Sequence, residues 1–124
     1  MVKSIIHALN GVTATTTSAP INVEGAKKVT LQFIRTNHAS GKTVFTVTAS
    51  LDGTTFSAFA GLISAGTAVA ASETIARVAS YDTGTANASA IYSLDLTVHA
   101  FKEIKVVATE TTDGTHDAWV YIEY

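Results

Sequence analysis

The chain is 124 residues long, enough for one domain with a core of its own, and its eight Lys and Arg against ten Asp and Glu leave a net charge of −2. Charged residues make up 15% of it, against roughly 25% in an ordinary soluble domain, and no basic cluster exceeds Lys27-Lys28, which argues against nucleic acid as a partner. The absence of cysteine removes disulfides, zinc–thiolate sites and thiol catalysis together.

Thr, Ser and Ala dominate the polar and small positions. A surface of that kind lacks the charge repulsion that keeps copies apart, so it favours association with itself or with a larger body. The opening "MVKSIIHALNGV" holds too short an apolar run for a signal peptide, and no stretch approaches the roughly 18 apolar residues of a membrane span. The expectation is a chain made and folded in the cytosol, with no membrane partner.

Residues 1–20 read as an N-terminal arm or a first strand, closed by the single proline, Pro20; residues 21–124 read as a β-sandwich domain. Ile5, Ile6 and Leu9 make the arm apolar, so it is a candidate for adding a strand to a neighbour's sheet edge, or else for forming the first strand of its own sandwich. "KKVTLQFIRT" puts Val29, Leu31 and Phe33 on one face. "TVFTVTASL" puts Phe45, Val47, Ala49 and Leu51 on the inward face. This period of two is the signature of strands with one buried side.

Asp52-Gly53 interrupts the alternation of "VFTVTASLDGTTFSAF", the strongest short signal for a hairpin. A two-residue loop pairs Leu51 with Thr54, Ala49 with Phe56, Val47 with Ala58 and Phe45 with Ala60, setting large side chains opposite small ones. The Ala-rich "SAGTAVAASETIA" carries glycine and β-branched residues that favour a loop over a helix. "IYSLDLTVHAF" then turns Tyr92, Leu94, Leu96 and Val98 one way and His99 with Asp95 the other.

Near the C-terminus, "EIKVVAT" and "DAWVYIEY" are joined by "TTDGTH", which predicts a second hairpin at Asp113-Gly114. Ile104, Val106 and Ala108 share one face and Val107 the other; Ala118, Val120 and Ile122 oppose Trp119 and Tyr121. Apolar residues on both faces imply cover on both, by a second sheet, by the N-terminal segment or by another subunit. The whole pattern predicts an all-β antiparallel sandwich or jelly roll of about eight or nine strands.

Chemistry is sparse. His7, His38, His99 and His116 show no metal-ligand spacing; Asp113, His116 and Asp117 cluster about a turn that is more simply solvated than metal-bearing. No Gly-x-Ser-x-Gly elbow is present, and "GTAVAAS" lacks the lysine of a phosphate loop. No catalytic residue, metal or cofactor is therefore expected. Trp119, Tyr121, Tyr124, Phe56, Phe59 and Tyr81 could stack on sugar rings, but their place in alternating apolar strands favours core or subunit contact.

The stretch "TSAPINVEGAKKVTLQFIRTNHASGKTVFTVTASLDGTTFSAF" resembles small β-sandwich proteins encoded among tailed-phage virion genes. They pair an I-x-V-x-G-x-x-x-V-T-L strand with a V-x-x-S-x-D-G-T-x-[WF] hairpin. "FKEIKVVAT" and the alternating strand after it fit their C-terminal half, and the likeness runs from Thr17 to Tyr124. The same hairpin and F-x-x-[IV]-[KR]-V strand occur in discoidin-like sandwiches, which bind glycans or lipids, although Phe56 stands where Trp is commoner. The resemblance implies a non-enzymatic virion component, decorating or cementing a capsid or serving as an auxiliary tail protein, assembled in the host cytoplasm. Its partners would be copies of itself and a major capsid or tail protein, met through Ile5, Ile6, Leu9, Val107, Trp119 and Tyr121. A glycan-binding module is the alternative.

Overall fold

The computed structural model describes residues 2–64, 77–96 and 100–124. Among them the chain is all β, with eleven strands: β1 (Lys3–Val12), β2 (Thr16–Thr17), β3 (Ile21–Asn22), β4 (Lys28–Thr36), β5 (Thr43–Ser50), β6 (Ser57–Ala58), β7 (Leu62–Ser64), β8 (Ser80–Asp82), β9 (Ala88–Leu94), β10 (Glu103–Glu110) and β11 (Thr115–Glu123). The excess over the expected eight or nine comes from pieces of two or three residues, too short to show an alternation of their own. The expected loop "SAGTAVAASETIA" and His99 lie outside the described residues, apart from Ser64.

Two antiparallel sheets pack face to face. One runs β1-β11-β4-β9-β7; the other runs β2-β10-β5-β6, with β3 also on β10 and β8 also on β5. The period-two residues read from the sequence fill the space between them. Val29, Leu31, Phe33, Ala118, Val120 and Ile122 from the first sheet, and Phe45, Val47, Ala49, Ile104, Val106 and Ala108 from the second, are all buried. Each fully buried Val, Leu, Ile or Phe stabilises the fold by about 1.5–3 kcal/mol over leaving it in water. Phe33 and Phe45 stack across the gap at 5.0 Å, and Tyr81 and Tyr92 close on the same pair.

Four expectations are corrected. Leu51 is 75% exposed because the strand ends at Ser50. There the Ser50 hydroxyl accepts the Gly53 N–H, while one Asp52 carboxylate oxygen accepts the N–H groups of Thr54 and Thr55. This wider turn moves the pairing by one residue, to Thr48 with Ala58 and Ala49 with Ser57. Asp113-Gly114 is likewise no hairpin: β10 and β11 belong to opposite sheets, so the turn carries the chain across the sandwich. The inward residues of the two strands line two separate inner faces, one per sheet. Val107, Trp119 and Tyr121 stand on the outward faces, where Trp119 is 39% exposed, so the expected cover on both faces is not seen among the described residues.

Residues 3–12 form the outer strand of the five-stranded sheet, paired with β11 from Lys3 opposite Glu123 to Val12 opposite His116. Irregularities follow His7 and Leu9. The shift at the first of these turns Leu9 inward, where it is 2% exposed and belongs to the core.

Candidate interaction surface

The outward side of the five-stranded sheet is built by register. Ile5 lies opposite Tyr121, which lies opposite Thr30, which lies opposite Ser93. The next row is His7, Trp119, Gln32 and Ile91. Because alternate residues share a face, these rows place Ile5, Trp119, Tyr121 and Ile91 together on the surface. Ile5 is 65% exposed, Ile91 44% and Trp119 39%. Between them lies a shallow groove of about 300 Å³, floored by Thr30 and Gln32. Single exposed apolar side chains are ordinary; here three exposed ones and the half-buried Tyr121 gather on one sheet face.

The patch is held in shape. The His7 ring stacks flat on the Trp119 indole, its Nε2–H donates to Asp117 at 2.8 Å, and the same carboxylate oxygen accepts the Gly11 N–H at 3.0 Å. Lys3, Glu123 and Lys28 form a charged row at one end, and Asp117 stands toward the other.

Of the six residues expected at an interface, the structure brings Ile5, Trp119 and Tyr121 together. Ile6 packs partly buried against the core, Leu9 is within it, and Val107 sits half-buried on the opposite sheet beside Thr17 and Thr46. The aromatic set also divides: Tyr81 belongs to the Phe33–Phe45–Tyr92 cluster, Phe59 packs on Phe101 at 4.7 Å, and the Lys105 ammonium sits 4.2 Å over Phe56. The sequence alone does not mark Ile91, Gln32, Thr30 and His7 as neighbours of one surface, since only the strand order places them beside Trp119.

The turn cluster Asp113, His116 and Asp117 is pulled apart. Asp117 goes to His7 on the outer face, while Asp113 accepts the N–H groups of Ala39 and Ser40, which hold its carboxyl below the ordinary carboxylate range. His116 is wholly buried: Nδ1–H donates to the Val12 carbonyl, Nε2 hydrogen-bonds the Thr43 hydroxyl at 2.7 Å, and Glu110 Oε2 lies 3.7 Å from the same nitrogen. Beside it, Arg35 is 1% exposed and donates to the carbonyls of Ser40, Gly41, Gly84 and Asp113. Four carbonyls on three connecting segments converge on one guanidinium, whose planar fork suits that task. Arg35 and His116 lie out of solvent at this end of the sandwich, where the guanidinium ties its connecting segments together.

Among the described residues no group of three or more His, Asp or Glu is placed to hold a metal ion, and no helix is long and apolar enough to cross a membrane. Comparison with protein families, with characterised proteins and with solved structures finds no match for this chain.

Proposed function

We propose that this protein is a non-enzymatic structural component of a virion, decorating or cementing a capsid or serving as an auxiliary tail protein through contacts between β-sandwiches. The observation that carries the reading is the preformed patch of Ile5, Ile91, Trp119 and Tyr121 on the outward side of the five-stranded sheet, in a chain with few charges to oppose association. The likeness of Thr17–Tyr124 to phage-encoded sandwiches supplies the particle. Work of this kind is burial of apolar surface against neighbouring protein, with the commitment of Arg35 and His116 to internal bonds consistent with it.

The test is particle composition. Virions purified from cells in which the gene is expressed by its own phage should contain the chain in many copies, retained through a density gradient. Its recovery only in the soluble fraction refutes the reading.

A second reading, a glycan-binding module, is favoured by one arrangement: Gln32 and Thr30 provide polar groups beside the Trp119 ring, the combination that stacking on a pyranose needs. Glycan-array binding abolished by Trp119→Ala would replace the first reading with this one.

A further inference from the structure

Among the described residues β1 is the outermost strand of its sheet, and the hydrogen-bonding groups on its outer edge can be assigned. The Tyr124 N–H donates to the Val2 carbonyl, in the same register that sets Lys3 opposite Glu123. In an antiparallel ladder, hydrogen-bonded and non-bonded pairs alternate. Even-numbered residues of the regular part of β1 therefore spend their N–H and C=O groups on β11. Lys3, Ile5 and His7 point theirs away, toward the free edge, while their side chains stand on the outer face beside Tyr121 and Trp119. The irregularity after His7 ends this flat stretch.

We infer that a second copy of this chain pairs its β1 with this edge, antiparallel about a two-fold axis at Ile5, joining two five-stranded sheets into one of ten. The register follows from which groups are free. Ile5 meets Ile5 of the other copy in a hydrogen-bonded pair, and Lys3 meets His7 twice, giving six backbone hydrogen bonds. Both exposed Ile5 side chains come together on the outer face and extend the apolar patch across the junction. The charges agree with this occupant: Lys3 of each copy arrives beside the His7–Asp117 pair of the other, a cation on the side of a carboxylate. A parallel arrangement would set Lys3 beside Lys3 instead. The inference rests on the reading of the protein as one that works through contacts between copies, and it names the contact.

The test is the mass of the full chain in solution across a concentration series, by light scattering and sedimentation. Wild type should rise toward twice the chain mass. Ile5→Pro removes only an outward N–H, a substitution an edge strand tolerates, and Ile5→Lys sets two ammonium groups at the axis. Each should weaken the dimer roughly tenfold or more while circular dichroism stays unchanged. Because the chain has no cysteine, Ile5→Cys gives a single thiol, which a short bismaleimide should join to its mate; Thr54→Cys, on the remote turn, should stay unjoined. Should Ile5→Pro unfold the sheet, Lys3→Glu decides, since it sets like charges beside Asp117 of the other copy. Unchanged circular dichroism then shows that the loss of its own pairing with Glu123 and Tyr121 leaves the fold intact.

A wild type that remains monomeric throughout overturns the two-fold pair, and particle composition then judges the virion reading separately. A dimer that Ile5→Lys and Lys3→Glu leave unchanged overturns the β1 edge and places the copy contact elsewhere. Open filaments instead of dimers also overturn it, since a two-fold contact closes on itself.

Discussion

The His7 imidazole lies 3.7 Å from the Trp119 indole, with 6° between the ring planes. Asp117 fixes the far side of the imidazole, so the indole is backed by a ring that cannot swing freely. Trp119 is the only tryptophan in the chain, and its fluorescence reports this one surface. His7→Ala should change the intensity and position of that emission and cost about 0.5–1.5 kcal/mol of stability, the range for a stacked pair beyond its buried area. Emission identical to wild type would show that the two rings do not stack in solution.

Arg35 is the buried charge on which the connecting segments of one sandwich end converge. Arg35→Met keeps the length and apolar stem but leaves the carbonyls of Ser40, Gly41, Gly84 and Asp113 without that donor. The expected loss is about 3–5 kcal/mol in urea unfolding. Arg35→Lys should recover only part of it, because a single ammonium cannot span the same fork of acceptors.

Gly114 has φ +124°, and a Cβ there would lie 2.8 Å from Arg35 Nε and 3.2 Å from His116 Nε2. Gly84 also has positive φ, +66°, but nothing lies within 4 Å of its missing Cβ. Gly84→Ala should cost about 1–2 kcal/mol from backbone strain alone. Gly114→Ala should cost clearly more, since the buried arginine and histidine must also move. Equal effects in thermal melts would mean that the turn relaxes without disturbing either.

Asp52 has its carboxyl pulled down to about 2, first by the Thr55 N–H, then by the Thr54 N–H and the Ser50 hydroxyl. A carboxyl more acidic folded than unfolded contributes stability that is fully present above the unfolded value near 4 and fades as the pH falls toward 2. Asp82 and Asp113 are lowered too, chiefly by the N–H groups of Gly84 and Ala39, so the chain should lose stability over the acid range. Asp52→Asn, which keeps an acceptor oxygen but no titration, should flatten the pH 4-to-2 part of that loss. A slope equal to wild type's would remove Asp52 from the acid response.

The buried faces were legible because each long strand alternates without a break: Val29, Leu31 and Phe33, or Ala118, Val120 and Ile122, need no partner to be recognised. Pairing was less legible. Asp52-Gly53 marks a turn in either register, and the choice fell to Ser50 and Asp52 side chains reaching back to backbone N–H groups, which lengthened the loop and stranded Leu51 in water. Asp113-Gly114 offered the same two letters, yet serves a crossing between sheets, because Arg35 holds the Asp113 carbonyl from a strand 78 residues away. Trp119 and Tyr121 were recognisable as sharing the face opposite Ala118, Val120 and Ile122 and as candidates for contact; their companions on neighbouring strands were not, since local patterning carries no information on strand order.

β11 occupies an interior position in its sheet, between β1 and β4, although more than a hundred residues separate it from β1. A nascent chain emerging from the ribosome therefore holds Ile6, Leu9 and Leu31 unshielded until residues 115–123 arrive to fill the gap. Closure over such sequence distances is slow and leaves adhesive intermediates. Truncation just after Gly114 should thus yield aggregate in place of a smaller soluble sandwich.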